Sequence, residues 1–170
     1  MKKSICFFAI FIFIATASFS QNKAVKQIHD GLYIVIKPGT DSTQFDSIGK
    51  NQVVINFNKM FIENAGQDIS RVLIDTSEYV PLELDKAPTT EQQTEQKKKL
   101  MLSLTPAASE ILKTFSAKNV MKKVVIVVGG EALTMHKIRE AITGGQLQIT
   151  RCSDNACEKL FIMLKDNVKK

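Results

Sequence analysis

The chain has 170 residues, 44% hydrophobic and 24% charged, with 23 Lys and Arg against 17 Asp and Glu for a net charge of +6. That length suits one domain, or one domain with an appendage, and the composition excludes global disorder. The chain is too short for a TIM barrel, and it shows neither a Gly-X-Y repeat nor a heptad array.

The first twenty residues read as a targeting segment rather than as part of a fold. Lys2 and Lys3 make a positive n-region, Cys6 to Ala15 (CFFAIFIFIA) is apolar throughout, and Thr16 to Ser20 is small and polar. This is the pattern of a secretory signal peptide. The apolar run falls well short of the ~18–20 residues that span a bilayer, which argues against a membrane anchor. Cys6 lies inside that run, which argues against a lipoprotein. Cleavage is expected after Ser20, with Ala17 as the second choice, leaving 21–170 as a single exported domain. Losing Lys2 and Lys3 lowers the net charge from +6 to +4. No later stretch reaches transmembrane length, and a chain of this size buries ~68–70% of its extended surface without staples.

Residues 32–37 (LYIVIK) are β-branched and aromatic between Gly31 and Pro38-Gly39, which predicts a strand. Residues 38–50 are turn-rich, and 52–57 (QVVINF) alternate as a half-buried strand. Residues 70–74 (SRVLI) and 79–84 (YVPLEL) predict two more strands, the second at a sheet edge because Pro81 lacks a donor. Residues 85–98 are polar apart from Ala87 and predict a solvated loop or a flexible hairpin tip.

A strand over 99–104 is followed by Thr105-Pro106, a capping hydroxyl and a first-turn proline. The helix that begins there should carry Ala108, Ile111, Leu112 and Phe115 inward and end near Asn119. Residues 123–128 (KVVIVV) predict a strand buried on both faces, turned by Gly129-Gly130 into a return strand over 131–135. A short helix is expected over 136–142, stopped by Thr143-Gly144-Gly145. Residues 146–150 (QLQIT) alternate as a strand, and Ser153 opens a last helix with Ala156, Cys157, Leu160, Phe161 and Leu164 inward. The predicted core gathers Ile111, Phe115, Ile126, Val128, Ile142, Ile149 and Leu160. Strands and helices without regular βαβ alternation argue an α+β fold, a mainly antiparallel sheet with two or three helices packed on one face.

The order of features from Leu102 to Leu164 carries a resemblance. Leu104-Thr105-Pro106-Ala107-Ala108 opens the helix, and Ala117-Lys118-Asn119-Val120 follows it. Next comes the apolar strand from Val124 to Val128 with its tight turn. The most specific stretch runs from Ile138 to Thr150 (IREAITGGQLQIT). In this order and spacing the chain resembles the head of the first periplasmic domain of SecD and fused SecDF protein-export subunits. Two positions depart from that pattern: Arg151-Cys152 stand where a glycine is usual, and Gly129-Gly130 where Asp-Gly is usual. The resemblance implies a ferredoxin-like, SecD-head-like fold and contact with unfolded or extended polypeptide, or with an envelope protein, in the periplasm or outside the cell. No transmembrane helices are expected after this domain, so translocase activity is not expected to carry across with the resemblance.

The residues themselves name no reaction. His29 and His136 have no Cys, His or acid at metal-ligand spacing, whereas structural zinc wants four ligands. Phosphate-binding glycine motifs are absent. The basic residues form no stripe with interleaved aromatics, so nucleic acid is not an expected partner. The acids are too scattered to mark a glycosidase pair. No cofactor is therefore expected. Cys152 and Cys157 are the only cysteines after the signal peptide. Two readings of them stay open: a local disulfide, favoured by an exported location, or two free thiols with Cys157 in the core. A non-enzymatic binding module is the leading expectation. The alternatives are a small cysteine-dependent hydrolase using Cys152 or Cys157 with a histidine, and a structural subunit of an envelope complex.

Overall fold

A computed structural model describes residues 28–58, 68–95, 97–152, 154–165 and 168, without the side chains of 42, 93, 97 and 150–157. The expected signal peptide at 1–20 lies outside the described residues. Among the described residues, eight strands and two α-helices follow one another as β1 (Gly31–Gly39), β2 (Gln52–Asn56), β3 (Arg71–Pro81), β4 (Thr89–Thr94), β5 (Lys97–Ser103), α1 (Pro106–Lys118), β6 (Lys123–Val128), β7 (Glu131–Lys137), β8 (Gln146–Cys152) and α2 (Asp154–Lys165). The fold is α+β, and the six pairings between named strands are all antiparallel. The strands divide into a five-stranded sheet ordered β2-β3-β1-β6-β7 and a three-stranded sheet ordered β4-β5-β8.

The five-stranded sheet is apolar on both faces because its central strands are. Successive side chains of a strand point to opposite faces. Along β6, Val124, Ile126 and Val128 therefore enter one cluster while Val125 and Val127 enter another. Along β1, Leu32 and Ile34 separate from Tyr33 and Val35 in the same way. The sheet answers this double demand by curling until its outer strands meet. Phe57, just past β2, forms a parallel bridge with Ala132 of β7. The Asn58 N–H donates to the Ala132 carbonyl at 2.8 Å, and Asn58 Nδ2 donates to Glu131 Oε2 at 2.8 Å. The seam encloses a cluster that includes Tyr33, Ile55, Phe57, Val72, Ile74 and Val125, each less than 9% exposed.

The outer face of that curl packs on the small sheet and both helices. Leu100 and Leu102 of β5, Leu112 and Phe115 of α1, Ile149 of β8, and Leu160 and Leu164 of α2 join Ile126 and Val128 in one cluster. Thr105 caps α1, its Oγ1 accepting from the Ala108 N–H at 3.3 Å, with Pro106 in the first turn. Asn119 closes the other end: it is 1% exposed, and its Nδ2 donates to the Phe115 carbonyl at 2.9 Å. Gly129 and Gly130 turn β6 into β7 at φ 60° and 80°, the positive angles of a type I′ hairpin.

Several expectations are corrected. The two strands expected at 70–74 and 79–84 are the single strand β3, which is central rather than an edge; Pro81 is tolerated because it is the last residue, paired with Gly31. Of the two readings of the polar stretch 85–98, the loop gives way to the hairpin: it holds β4, the turn and the start of β5, because pairing with an apolar neighbour overrides a composition that reads as loop. No helix forms over 136–142. β7 continues to Lys137, and reciprocal backbone bonds between Ile138, Met121 and Lys122 prolong the hairpin instead. Ile138 is still buried, and Ile142 is partly so. Ile111 is 44% exposed: the buried stripe of α1 runs through Ala108, Leu112, Phe115 and Ser116, and Ile111 lies on its flank at 100° per residue. The other expected core residues Phe115, Ile126, Val128, Ile149 and Leu160 are gathered in one cluster as predicted.

Candidate functional site

Two surfaces stand out, an open groove beside α1 and the edges of the small sheet. The groove arises where β3 leaves its regular pairing with β1. Between Leu32↔Val80 and Ile34↔Asp75 the register jumps, and an Asx turn, with the Ser77 N–H donating to Asp75 Oδ1 at 2.8 Å, pushes 76–79 outward. Glu78 on this bulge reaches the end of α1. Its carboxylate accepts from Lys118 Nζ at 3.0 Å and, more weakly, from Asn119 Nδ2 at 3.5 Å. The Lys118 bond is the main cause that holds the Glu78 carboxyl below its ordinary value. Tyr79, Ile111, Thr114 and Phe115 line the space behind this ion pair, a groove of about 370 Å³.

Tyr79 is also the middle of an aromatic stack. Its ring lies 5.1 Å from that of Tyr33 at 5° and 6.1 Å from His29 at 13°. The Tyr33 hydroxyl donates to the His29 carbonyl at 2.8 Å. Burial pushes the Tyr33 phenol up to about 12, with the Tyr79 and Asp30 charges adding to the effect. A buried phenol with a backbone partner and a raised pKa is a poor acid near neutrality, so the stack is built for packing.

The small sheet has a different character. β4 (TTEQQT) is exposed at every described side chain, and its Glu91 pairs with Lys99 of β5 at 2.6 Å. β8 alternates, with Gln146 and Gln148 exposed and Leu147 and Ile149 buried. Among the described residues neither β4 nor β8 has a second neighbouring strand. An edge strand presents a row of unpaired N–H and C=O groups, a template for another chain.

Cys152 ends β8 opposite Lys98, and Cys157 lies in α2; both thiols lie outside the described side chains. His29 precedes β1 and His136 lies on β7, so both histidines belong to the five-stranded sheet and both cysteines to the small sheet and its helix. Desolvation lowers the His136 pKa from its ordinary value. Among the described residues no group of three or more His, Cys, Asp or Glu side chains converges as metal ligands would.

A family model described as the SecDF P1 head subdomain matches residues 67–167, more than half of the chain. The chain belongs to the SecDF P1 head family. No curated protein matches it in sequence. Among solved structures, a membrane component SecDF that enhances protein export is 20% identical over 79% of this chain and 60% of that chain, with a TM-score of 0.49. SecDF in a super-membrane-facing form is 20% identical over 79% of this chain and 18% of that chain, at a TM-score of 0.48. SecDF from Thermus thermophilus, a translocon-associated membrane protein, is 14% identical over 82% and 29%, at 0.41. The chain thus spans less than two thirds of each of these proteins. Among the described residues no helix is long and apolar enough to cross a membrane.

The P1 head match begins well upstream of Leu102, where the recognisable motifs start, and takes in β3, β4 and β5 as well. β1 and β2 precede it, yet β1 is the central strand of the five-stranded sheet. Sequence reasoning missed the groove and the β4 edge. The groove depends on a bulge that no periodicity reveals, and β4 has no apolar alternation to betray it.

Proposed function

We propose that this protein is an exported, non-enzymatic P1-head module that contacts unfolded or extended polypeptides in the cell envelope. The observation that carries the reading is the match to the SecDF P1 head subdomain over residues 67–167, a SecDF being described among the similar structures as a membrane component that enhances protein export. The open backbone at the edges of the small sheet supports it, because edge pairing asks a partner only for an extended main chain. The segment from Lys2 to Ser20 supplies the route out of the cytoplasm as a cleaved signal peptide, leaving 21–170 as one domain. The mature protein should begin at Gln21, or at Ser18 if cleavage follows Ala17; intact mass from the envelope fraction reads this directly, and full-length protein in the cytoplasm would contradict export.

The functional test is binding to a permanently unfolded chain, reduced and carboxymethylated lactalbumin, set against the native form of the same protein. Fluorescence anisotropy should show saturable binding to the unfolded form alone. Equal affinity for both forms, or none for either, would end the reading. Thiol titration with and without denaturant tests the cysteine-hydrolase alternative, which requires a reactive thiol in the folded state.

A further inference from the structure

Hydrogen-bond parity fixes which backbone groups of β8 face outward. The Leu104 N–H donates to the Gly145 carbonyl at 2.9 Å, and the same register pairs Leu102 with Leu147 and Leu100 with Ile149. In an antiparallel ladder, pairs that exchange both bonds alternate with pairs that exchange none. The N–H and C=O groups of Leu147 and Ile149 therefore point to β5, and those of Gln146 and Gln148 point away from it. Among the described residues no strand lies on that outer side.

The opposite edge of the sheet is guarded. β4 carries the exposed Glu91 carboxylate, its register breaks between Gln92 and Thr94, and Leu84, in line with it, is bridged by Val168. Charges, bulges and prolines are the usual means by which edge strands are kept from pairing. The first four residues of β8, Gln146 to Ile149, carry no charge or proline and pair with β5 without a break; Arg151 and the register shift come only after them. Leu147 and Ile149, 8% and 1% exposed, pin the strand to the core. The outward groups are thus held in a fixed extended geometry, and binding orders little of the module itself.

We infer that β8 is the docking edge, at which an extended segment of an unfolded polypeptide adds as a fourth strand through the N–H and C=O groups of Gln146 and Gln148. The inference rests on the polypeptide-contacting function proposed above and specifies its site. Main-chain bonding selects an extended partner without selecting its sequence. The neutral amide side chains of Gln146 and Gln148 favour neither charge sign in the residues that lie beside them. Together these features fit a chain of mixed sequence that has not yet folded.

Residue-resolved hydrogen exchange on the exported protein tests this, with reduced, carboxymethylated lactalbumin as the probe. The probe should slow exchange of the Gln146 and Gln148 amides at least tenfold. Gln148→Pro removes one outward donor and should weaken binding at least tenfold, whereas Gln148→Ala should stay within twofold of wild type. Where Gln148→Pro fails to fold by circular dichroism, the exchange data on the wild type decide alone. Binding that leaves both amides unprotected, or that survives in a folded Gln148→Pro variant, overturns the β8 site and leaves polypeptide contact standing. Absence of any binding by the wild type removes that function and this site together. Protection of the same amides without probe, rising with protein concentration alongside a dimer mass in sedimentation, replaces the unfolded partner with a second copy of this chain.

Discussion

In the five-stranded sheet the outermost strands come back together, Phe57 bridging Ala132, whereas the three-stranded sheet stops at β4 and β8 with no further strand among the described residues. The difference follows from the side chains. β1 and β6 are apolar on both faces, so a flat sheet would leave one apolar face in water; curling covers it. β8 is apolar on one face and β4 on neither, so the small sheet needs only α2 and the larger sheet against one side. Closure is thus a consequence of burial demand. Of the two edges without a further strand among the described residues, β4 carries the exposed Glu91 and a register break, and β8 is the one proposed above to take a partner.

The sharpest way to break this comparison is to cut the core that joins the two sheets. Phe115→Ala should destabilise the protein by about 3–5 kcal/mol, as other buried Phe truncations do. Ile111→Ala, one helical turn earlier but 44% exposed, should cost under about 1 kcal/mol. Urea unfolding should stay a single transition in both; separate transitions for the two sheets would show that they fold as independent units.

An effect of intermediate size isolates the curled sheet. The Tyr33 phenol, with its pKa raised from 10.0 to about 12, favours its neutral form in the folded state. Its contribution is complete below pH 10 and is lost as pH rises from there through 12, about 3 kcal/mol in all. Tyr33→Phe should flatten that alkaline limb of stability. An unchanged limb would show that the buried ring is not its source.

The small sheet has a matching test. We propose a disulfide between Cys152 and Cys157, stapling the corner between β8 and α2. So short a loop yields roughly 2 kcal/mol from chain entropy. Non-reducing mass spectrometry of periplasm-derived protein should find no alkylatable thiol; two alkylatable thiols would exclude the bridge.

The smallest effect lies at the rim of the groove, where α1 meets the larger sheet. Glu78 is partly exposed, so its ion pair with Lys118 is screened, and Glu78→Gln should cost no more than about 1 kcal/mol. Because the folded-state pKa is lowered, the stabilisation is present above the ordinary carboxyl value of 4.5 and fades as pH falls below it. Wild type and variant should therefore converge in acid. A difference that persists at pH 2 would point to packing rather than charge.

Much of the fold was legible wherever local chemistry and tertiary context agree. Thr105-Pro106 caps a helix because the hydroxyl and the missing N–H suit its first turn, and Gly129-Gly130 turns a hairpin because both positions need positive φ. The misreadings share one cause. Ile138 and Ile142 carry helical spacing, but their hydrophobic burial is met by a non-helical segment in which Ile138 is bonded to Met121 and Lys122 and the Ile142 N–H donates to Ser116 Oγ. Thr143-Gly144-Gly145 reads as a helix stop, yet Gly145 is there for space as well as angle: a Cβ on it would run into the Ser109 side chain. β4 was hidden because an edge strand exposed at every described side chain needs no apolar pattern. Of the site, the alternation of β8 was legible; its position at the end of a sheet was not, because strand order is set by long-range pairing.

That long-range pairing also sets a timetable. β1 is flanked by β3 and by β6, so Gly31 must find Pro81 on one side and Val127 on the other. A chain emerging N-terminus first can form β1 with β3 early. It must then hold an unfinished sheet until β6 and β7 arrive, since distant contacts come late and slowly. During that interval the edge of β1 that later pairs with β6 is open to any neighbour. If the seam at Phe57 and Ala132 closes after the rate-limiting step, mutations at it should speed unfolding and leave the folding rate nearly unchanged.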